Sequence, residues 1–467
     1  MARTFHIRTF GCQMNDHDSE RLAGLFVADG LEQTDDVESA DVVVLNTCCI
    51  RENADNKLYG HLGWLKSLQE RRPGMQIAVG GCLAQKDRED VRRRAGHVDV
   101  VFGTHNLSRA PALVRQAAAH GPVVEILDAP DPEGDPAHGS ALTAVREVPY
   151  LAWVTIQMGC DNSCAFCIVP QVRGPEVSRP FDQLVDEVRA LAARGVTEVT
   201  LLGQNVNSYG RDLTRRRPLF SELLRAVGAV DGIRRVRYTS PHPKDLRTET
   251  IAAMAETPAV CEHLHLPLQS GSDRVLSAMR RGYRAERYLE RLAAARAGID
   301  DLAVTTDIIV GFPGETDDDF AATLEVAAAA EYDSAYTFIF SPRPGTRAAE
   351  DPSAFVADDV IAERFERLRI VVERSALIRH QARIGRTEEV MVEGPSKRDP
   401  TVVSGRTRQN KLVHFSAGSS TSGAAAPAAG SYATVTITGA APHHLRGDLV
   451  EVTHAAPRRI RIPLAVR

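Results

Sequence analysis

The chain has 467 residues, of which 43% are hydrophobic and 25% charged, the ordinary make-up of a folded protein of two to four domains. No apolar run is long enough to span a bilayer, and the start MARTFHIRTF has no signal-like apolar core, so we expect a cytoplasmic protein with no membrane partner. Its eight cysteines are then reduced and available to metal rather than paired as disulfides. The net charge of −5 argues against a nucleic-acid partner, but the charge is unevenly spread. From Arg379 to Arg467, 13 Lys and Arg stand against 6 Asp and Glu, an excess of +7 that leaves −12 on the rest of the chain. A basic C-terminal module on an acidic body is either a handle for a polyanion or a solvated face.

The first block runs from about Thr4 to His120. The runs FHIRTF, DVVVLNT and MQIAVGG read as strands separated by helical stretches, which predicts a small parallel α/β sheet. The acidic, Pro- and Gly-rich stretch from Asp128 to Ser140 reads as a linker.

The second block runs from about Tyr150 to Ile378. Strands are expected in AWVTIQMG, EVTLLGQN, RRVRYTS, HLHLPLQ, AVTTDIIVG and AYTFIFS. Helices such as FDQLVDEVRALAARG, YLERLAAARAG and DDFAATLEVAAAAE lie between them. This alternation predicts a partial TIM-type (βα)6 barrel, with its chemistry at the C-terminal ends of the strands.

The third block, from about Arg379, consists of short β-branched runs joined by Gly and Pro turns, and predicts a small antiparallel β-barrel. The low-complexity run from Phe415 to Ser431 interrupts it as a surface loop.

Cysteine spacing carries the chemistry. Cys160, Cys164 and Cys167 form C-x3-C-x2-C in MGCDNSCAFCIVPQVRG, with Phe166 before the last cysteine and the whole loop directly after the first barrel strand. Three thiolates can hold three corners of a cubane iron–sulfur cluster and leave its fourth iron open. Structural zinc needs four ligands closed around it, and no fourth Cys or His lies at finger spacing. A second set is dispersed: Cys12 in FGCQMN, Cys48 in LNTCCIRE and Cys82 in VGGCLAQ each end a strand. Strand ends of a doubly wound sheet converge on one edge, so these three can meet. Cys49 is a rival to Cys48, and Cys261 reads as a core residue.

With LLGQNVNSYG, HLPLQSGSD and DIIVGFPGET added, the chain resembles the radical SAM (S-adenosylmethionine) methylthiotransferases over nearly its whole length. The resemblance implies a methylthiotransferase N-terminal domain over 3–120, a radical SAM core over 146–377 and a TRAM-like RNA-binding domain over 379–452. It implies two 4Fe–4S clusters: one that binds and cleaves SAM on Cys160, Cys164 and Cys167, and an auxiliary one on Cys12, Cys48 and Cys82. Phe166, Gly203, Gln204 and Asn205 then fall near SAM, the last three ending the second barrel strand. The implied reaction is methylthiolation of C2 of N(6)-dimethylallyladenosine at position 37 of tRNA. It uses two SAM molecules, one as methyl donor and one as radical source, and sulfur associated with the auxiliary cluster. The implied partners are tRNA, an electron donor of flavodoxin or ferredoxin type and sulfur- or cluster-delivery proteins, with the chain itself a monomer.

Two departures stand out: Cys49, where relatives often carry Ser, and the Ala/Ser/Gly-rich loop in the third block. The alternatives within the family are methylthiolation of threonylcarbamoyl-adenosine in tRNA or of a ribosomal-protein aspartate. Outside it stands an RNA-binding protein with structural or redox-sensing clusters. The turn Val310–Glu315 lies either near an adenine or in a plain Gly/Pro turn. Arg215–Arg217 read as a solvated loop, and His263 and His265 as packing residues on one strand face.

Overall fold

The computed structural model describes residues 3–49, 52–129, 144–146, 148–396, 398–416 and 426–456, with residues 52–56 described as backbone. Most of the expected linker and the middle of the low-complexity loop lie outside the described residues.

The first block is a six-stranded, all-parallel sheet. In spatial order its strands are Glu32–Gln33, Thr4–Phe10, Val42–Thr47, Gln76–Gly81, Val100–Phe102 and Val123–Glu125. VVVLNT and QIAVGG are buried at every position, as central strands covered on both faces must be. Helices Gln13–Ala28 and Ala110–His120 cover one face through Leu22, Phe26, Leu113 and Val114. Helix Glu52–Arg71 covers the other through Leu58, Leu62 and Leu65. Three short strands escaped the sequence reading, because two- and three-residue strands carry almost no periodicity.

The second block has six parallel strands in chain order around an open arc. Leu151–Thr155, Glu198–Leu202 and Arg235–Tyr238 form one sheet, and His263–His265, Ala303–Val310 and Ser334–Ile339 the other. A parallel bridge between Val236 and Val260 joins them. One continuous core fills the space between strands and outer helices, including Val154, Leu201, Val236, Leu264 and Ile308. A 24-residue helix, Asp358–Gln381, follows the last strand and runs through residues 377–379, where the sequence reading placed a boundary. Its buried Ile361, Leu368, Val372 and Ala376 recur on one face.

The third block is a closed barrel of strands Thr387–Pro395, Val402–Thr407, Leu412–Ser416, Tyr432–Ala441 and His444–His454. Every pairing is antiparallel except that of Leu412–Ser416 with His444–His454. Five strands cannot alternate direction all the way round a ring, so one pairing must be parallel. The barrel docks on the amino-terminal ends of the second block's strands through buried charges. Arg235 donates to the carbonyl of Arg406 (2.8 Å) and to Glu389 (3.0 Å), Arg237 to the carbonyls of Thr407 (2.9 Å) and Arg408 (2.8 Å), and Lys411 to Asp333 (2.6 Å). The loop of Cys160, Cys164 and Cys167 lies at the opposite, carboxyl ends of these strands, where the first block meets them through His17 with Thr155 and Asp18 with Arg173.

Candidate functional site

The cluster loop leaves the first barrel strand and returns through a two-strand pairing of Gln157–Met158 with Val177–Ser178. Gly159 begins it with φ at +77°, and a Cβ there would lie 1.9 Å from the carbonyl oxygen of Pro175, so only glycine fits. Backbone bonds from Cys160 N to Gly174 O (3.1 Å) and Cys167 N to Cys164 O (3.1 Å) fold the loop back on itself.

Cys160, Cys164 and Cys167 all line one cavity of ≈ 420 Å³, whose rim includes Arg280 and Arg347. Asn162 Nδ2 donates to Cys160 Sγ (3.4 Å) and Arg281 Nη1 to Cys164 Sγ (3.4 Å). Burial pushes the Cys167 thiol up to about 12 and raises Cys160 as well. Buried thiols held neutral in this way ionise when iron supplies the missing positive charge. Among the described residues no three Cys, His, Asp or Glu side chains gather around a single point as a mononuclear site requires. A tetrahedral zinc would draw its sulfurs to ~4 Å of one another, since each Zn–S bond is ~2.3 Å. The loop thiols instead edge a cavity, which fits a larger group.

Cys12, Cys48 and Cys82 stand at neighbouring strand ends on one edge of the first block's sheet. Cys12 is the N-cap of helix Gln13–Ala28, Cys48 follows strand Val42–Thr47, and Cys82 opens helix Cys82–Asp87. Gly11 permits the approach, because a Cβ on it would lie 2.7 Å from the Cβ of Cys48. A hydrogen bond with Cys48 brings the Cys12 thiol down to about 6. Cys49 joins from the other side: its interaction with Cys82 and its burial push its thiol up, while the same interaction, against burial, lowers Cys82. The site therefore holds four neighbouring thiols, Cys12 beside Cys48 and Cys49 beside Cys82, with Cys12 Sγ also donating to Asn15 Oδ1 (3.4 Å). Cys49 is fully buried in the apolar cluster with Leu58 and Leu83, so Cys49→Ala should cost less iron than Cys48→Ala. Iron content of the two purified variants measures this, and the reverse order would exchange their roles.

Sequence reading did not find what joins the two sets. Helix Val169–Arg173 continues from the cluster loop, and its Val172 and the preceding Ile168 pack in the first block's core with Cys82 and Ala84. Arg173 donates to Asp18 Oδ2 (2.7 Å), both side chains 3% exposed. Burial alone would lower the Arg173 guanidinium, but Asp18, Cys82 and Cys12 outweigh it and hold it above the ordinary range. His17 Nδ1 meets Thr155 Oγ1 (2.8 Å) at the end of the first barrel strand, and burial lowers that imidazole to about 3.

The run Gly203–Asn205 follows strand Glu198–Leu202 but does not line the cavity. Asn205 donates to Asp245 (2.9 Å), and the adjacent Lys244 donates to Asn162 on the cavity wall. Asn205 heads the turn Val206–Ser208 without capping it, and its Oδ1 and the Oε1 of Gln204 are buried with no hydrogen-bond donor among the described residues. These carbonyl oxygens can accept from an ammonium. Phe166 also lines neither this cavity nor the one next to it, and packs against an apolar cluster containing Met279 and Phe312. In Val310–Glu315, Glu315 is buried, accepts from Gly311 N (2.9 Å) and pairs with Arg364 (2.9 Å); Phe312 and Pro313 line the adjoining cavity of ≈ 450 Å³. His263 and His265 both bond Thr305 Oγ1 (3.0 and 2.9 Å), and Arg217 sits exposed against Glu222. Cys261 is buried.

Comparison with known proteins decides the family. The Uncharacterized protein family UPF0004 matches residues 4–103, the Radical SAM superfamily residues 154–327 and the TRAM domain residues 381–450. A tRNA-2-methylthio-N(6)-dimethylallyladenosine synthase of Acidothermus cellulolyticus is 54% identical, over 96% of this chain and 88% of that protein. Synthases of the same name from Mycolicibacterium vanbaalenii and Salinispora arenicola are each 52% identical, over 98% and 97% of this chain and 90% and 89% of theirs. The chain belongs to the tRNA-2-methylthio-N(6)-dimethylallyladenosine synthase family. As a member of this synthase family it is a radical SAM enzyme that works with SAM and 4Fe–4S clusters. The solved structure of the radical SAM methyltransferase TsrM from Kitasatospora setae, with cobalamin and a [4Fe–4S] cluster bound, is similar in fold. It has a TM-score of 0.54 at 15% identity, over 75% of this chain and 74% of that one. Among the described residues no helix is long and apolar enough to cross a membrane.

Proposed function

We propose that this chain is a cytoplasmic, monomeric enzyme that methylthiolates C2 of N(6)-dimethylallyladenosine at position 37 of tRNA. The observation that carries the chemistry is the meeting of Cys160, Cys164 and Cys167 on one cavity at the carboxyl ends of the barrel strands. The relatives' identity over nearly the whole chain supplies the substrate. Cys160, Cys164 and Cys167 hold one 4Fe–4S cluster, and Cys12, Cys48 and Cys82 the other. When bound, these groups supply the electron that cleaves SAM to a carbon radical and the seat from which sulfur reaches the base.

The chain's own residues hold and insulate that chemistry. Asn162 and Arg281 donate to the Cys160 and Cys164 sulfurs and spread their charge. The carbonyl oxygens of Gln204 and Asn205, behind the cavity wall and without a donor among the described residues, would accept from the amino group of SAM's methionine portion once the site opens to admit it. The first block covers the cluster loop through Ile168 and Val172 and keeps water from that side. The basic third block binds tRNA phosphates. An electron donor of flavodoxin or ferredoxin type and sulfur- or cluster-delivery proteins complete the cycle.

The target base must leave the anticodon stack, which costs less in a single-stranded loop than in a duplex. Burying the prenyl chain would contribute ~2–3 kcal/mol, at ~0.8 per methylene-sized group, and favour the prenylated base by one to two orders of magnitude. The test gives reconstituted enzyme three substrates: prenylated, unprenylated and threonylcarbamoyl-modified tRNA. Product is expected chiefly on the first. Product on the third with none on the first would overturn the reading in favour of the threonylcarbamoyl alternative.

A further inference from the structure

We propose that Arg173 is a positioning residue of the auxiliary centre: its Nη1 donates a hydrogen bond to the anionic sulfur around Cys12 and Cys82 and raises that centre's reduction potential. The proposal rests on the reading that Cys12, Cys48 and Cys82 hold a cluster. It starts from an imbalance in the first block. Arg173 spends Nη2 on Asp18 at 2.7 Å, which accounts for one arm of its guanidinium. Nη1 is buried and has no hydrogen-bond partner among the described residues. A buried N–H left unmatched is costly, so a partner is expected there.

The surroundings say what kind of partner. Val172, next to Arg173, packs in one buried cluster with Cys82 and Cys49, and Asp18, which Arg173 grips, lies on the helix that begins at Cys12. Besides Asp18, the groups that raise the Arg173 guanidinium are the Cys82 and Cys12 thiols, so it stands by an edge populated by sulfur. Asp18 sits on the helix that Cys12 caps and fixes the arginine from one side. Helix Val169–Arg173, which follows the cluster loop, fixes it from the other. An ion pair that served only to dock two domains would not need its second arm buried beside thiols. A fixed cationic donor on cluster sulfur favours the reduced, more negative form, so it moves the potential upward.

The experiment uses the full chain with Cys160, Cys164 and Cys167 changed to Ala, so that the auxiliary cluster alone reports. It is reconstituted with iron and sulfide and titrated for its midpoint potential by electron paramagnetic resonance. Three changes are compared in that background: Arg173→Lys, Arg173→Gln, and Asp18→Asn with Arg173→Gln. The double change removes the buried pair together, so it avoids stranding Asp18 and remains informative if the single Gln variant fails to fold. Unchanged iron content with a more negative potential is expected for both Gln variants, and a smaller shift for Lys. A fully loaded double variant with the potential of the parent overturns the role of Arg173 alone. Failure of the parent itself to assemble a cluster overturns the cluster reading, and the Arg173 proposal with it.

Discussion

Changing Cys160, Cys164 and Cys167 to Ala should remove about half the iron and abolish SAM cleavage to 5′-deoxyadenosine, because a cluster needs thiolate ligands to stay bound. Changing Cys12, Cys48 and Cys82 should remove the other half and leave cleavage measurable. The structure gives a reason for the independence. The first set lies on one loop pinned by Gly159 and by the Cys160–Gly174 bond, while the second lies at three strand ends of the first block's sheet. Iron analysis and product chromatography on both triple variants make the comparison. Loss of all iron from either one, in a protein that stays folded, would mean that the two sets form one site. Retained SAM cleavage without the loop cysteines would refute their assignment outright.

Asp333→Ala should be among the most destabilising single changes in the chain. Asp333 pairs with Lys411 at 2.6 Å across the docking surface, and its other oxygen accepts from Val304 N at 2.8 Å. The two side chains are 9% and 3% exposed, so removing the carboxylate strands a buried ammonium and a strand N–H. Breaking a buried pair from one side costs ~3–5 kcal/mol. Adding Lys411→Met should recover most of the loss, since it removes the stranded charge. Burial already lowers the Lys411 pKa below the ordinary lysine value despite Asp333. Without the carboxylate the folded-state pKa falls further. The unfolded chain then binds the extra proton, and the single variant should gain stability as pH rises toward the lysine range. Thermal melts of both variants across pH read this out. Equal melting temperatures for Asp333→Ala and the parent would show that the docking charges do not hold the barrels together.

How much of this was legible in the sequence follows a physical line. The strand pattern, the three-block order and the strand-end positions of the cysteines were readable because each is written in local spacing or in strand-end position. FGCQMN, NTCC and GGC mark strand ends, and the parallel sheet then brings those ends to one edge. The connections between blocks were not readable. Asp18 and Arg173 lie 155 residues apart, and Arg235 and Arg406 171 apart, with nothing local to announce either pair. A buried arginine in RRVRYTS looks like a strand residue at the edge of solvent until the third block is seen seated on it. Cys49 shows the same limit at short range. Its neighbour Cys48 is adjacent in sequence, yet the two thiols turn to different partners, Cys12 and Cys82. Gln204 and Asn205 follow the strand Glu198–Leu202 whose end they were expected to form, and only the structure shows that their carbonyl oxygens have no donor among the described residues.

The central claim is that this chain installs the methylthio group on prenylated adenosine 37, and tRNA itself records whether it does. Nucleosides from tRNA of cells with and without the gene, separated and weighed by mass spectrometry, give the direct answer. We expect 2-methylthio-N(6)-dimethylallyladenosine to vanish without the gene and its unthiolated precursor to accumulate in its place. An unchanged level of that nucleoside, or loss of a methylthio derivative of threonylcarbamoyl-adenosine instead, would contradict the account.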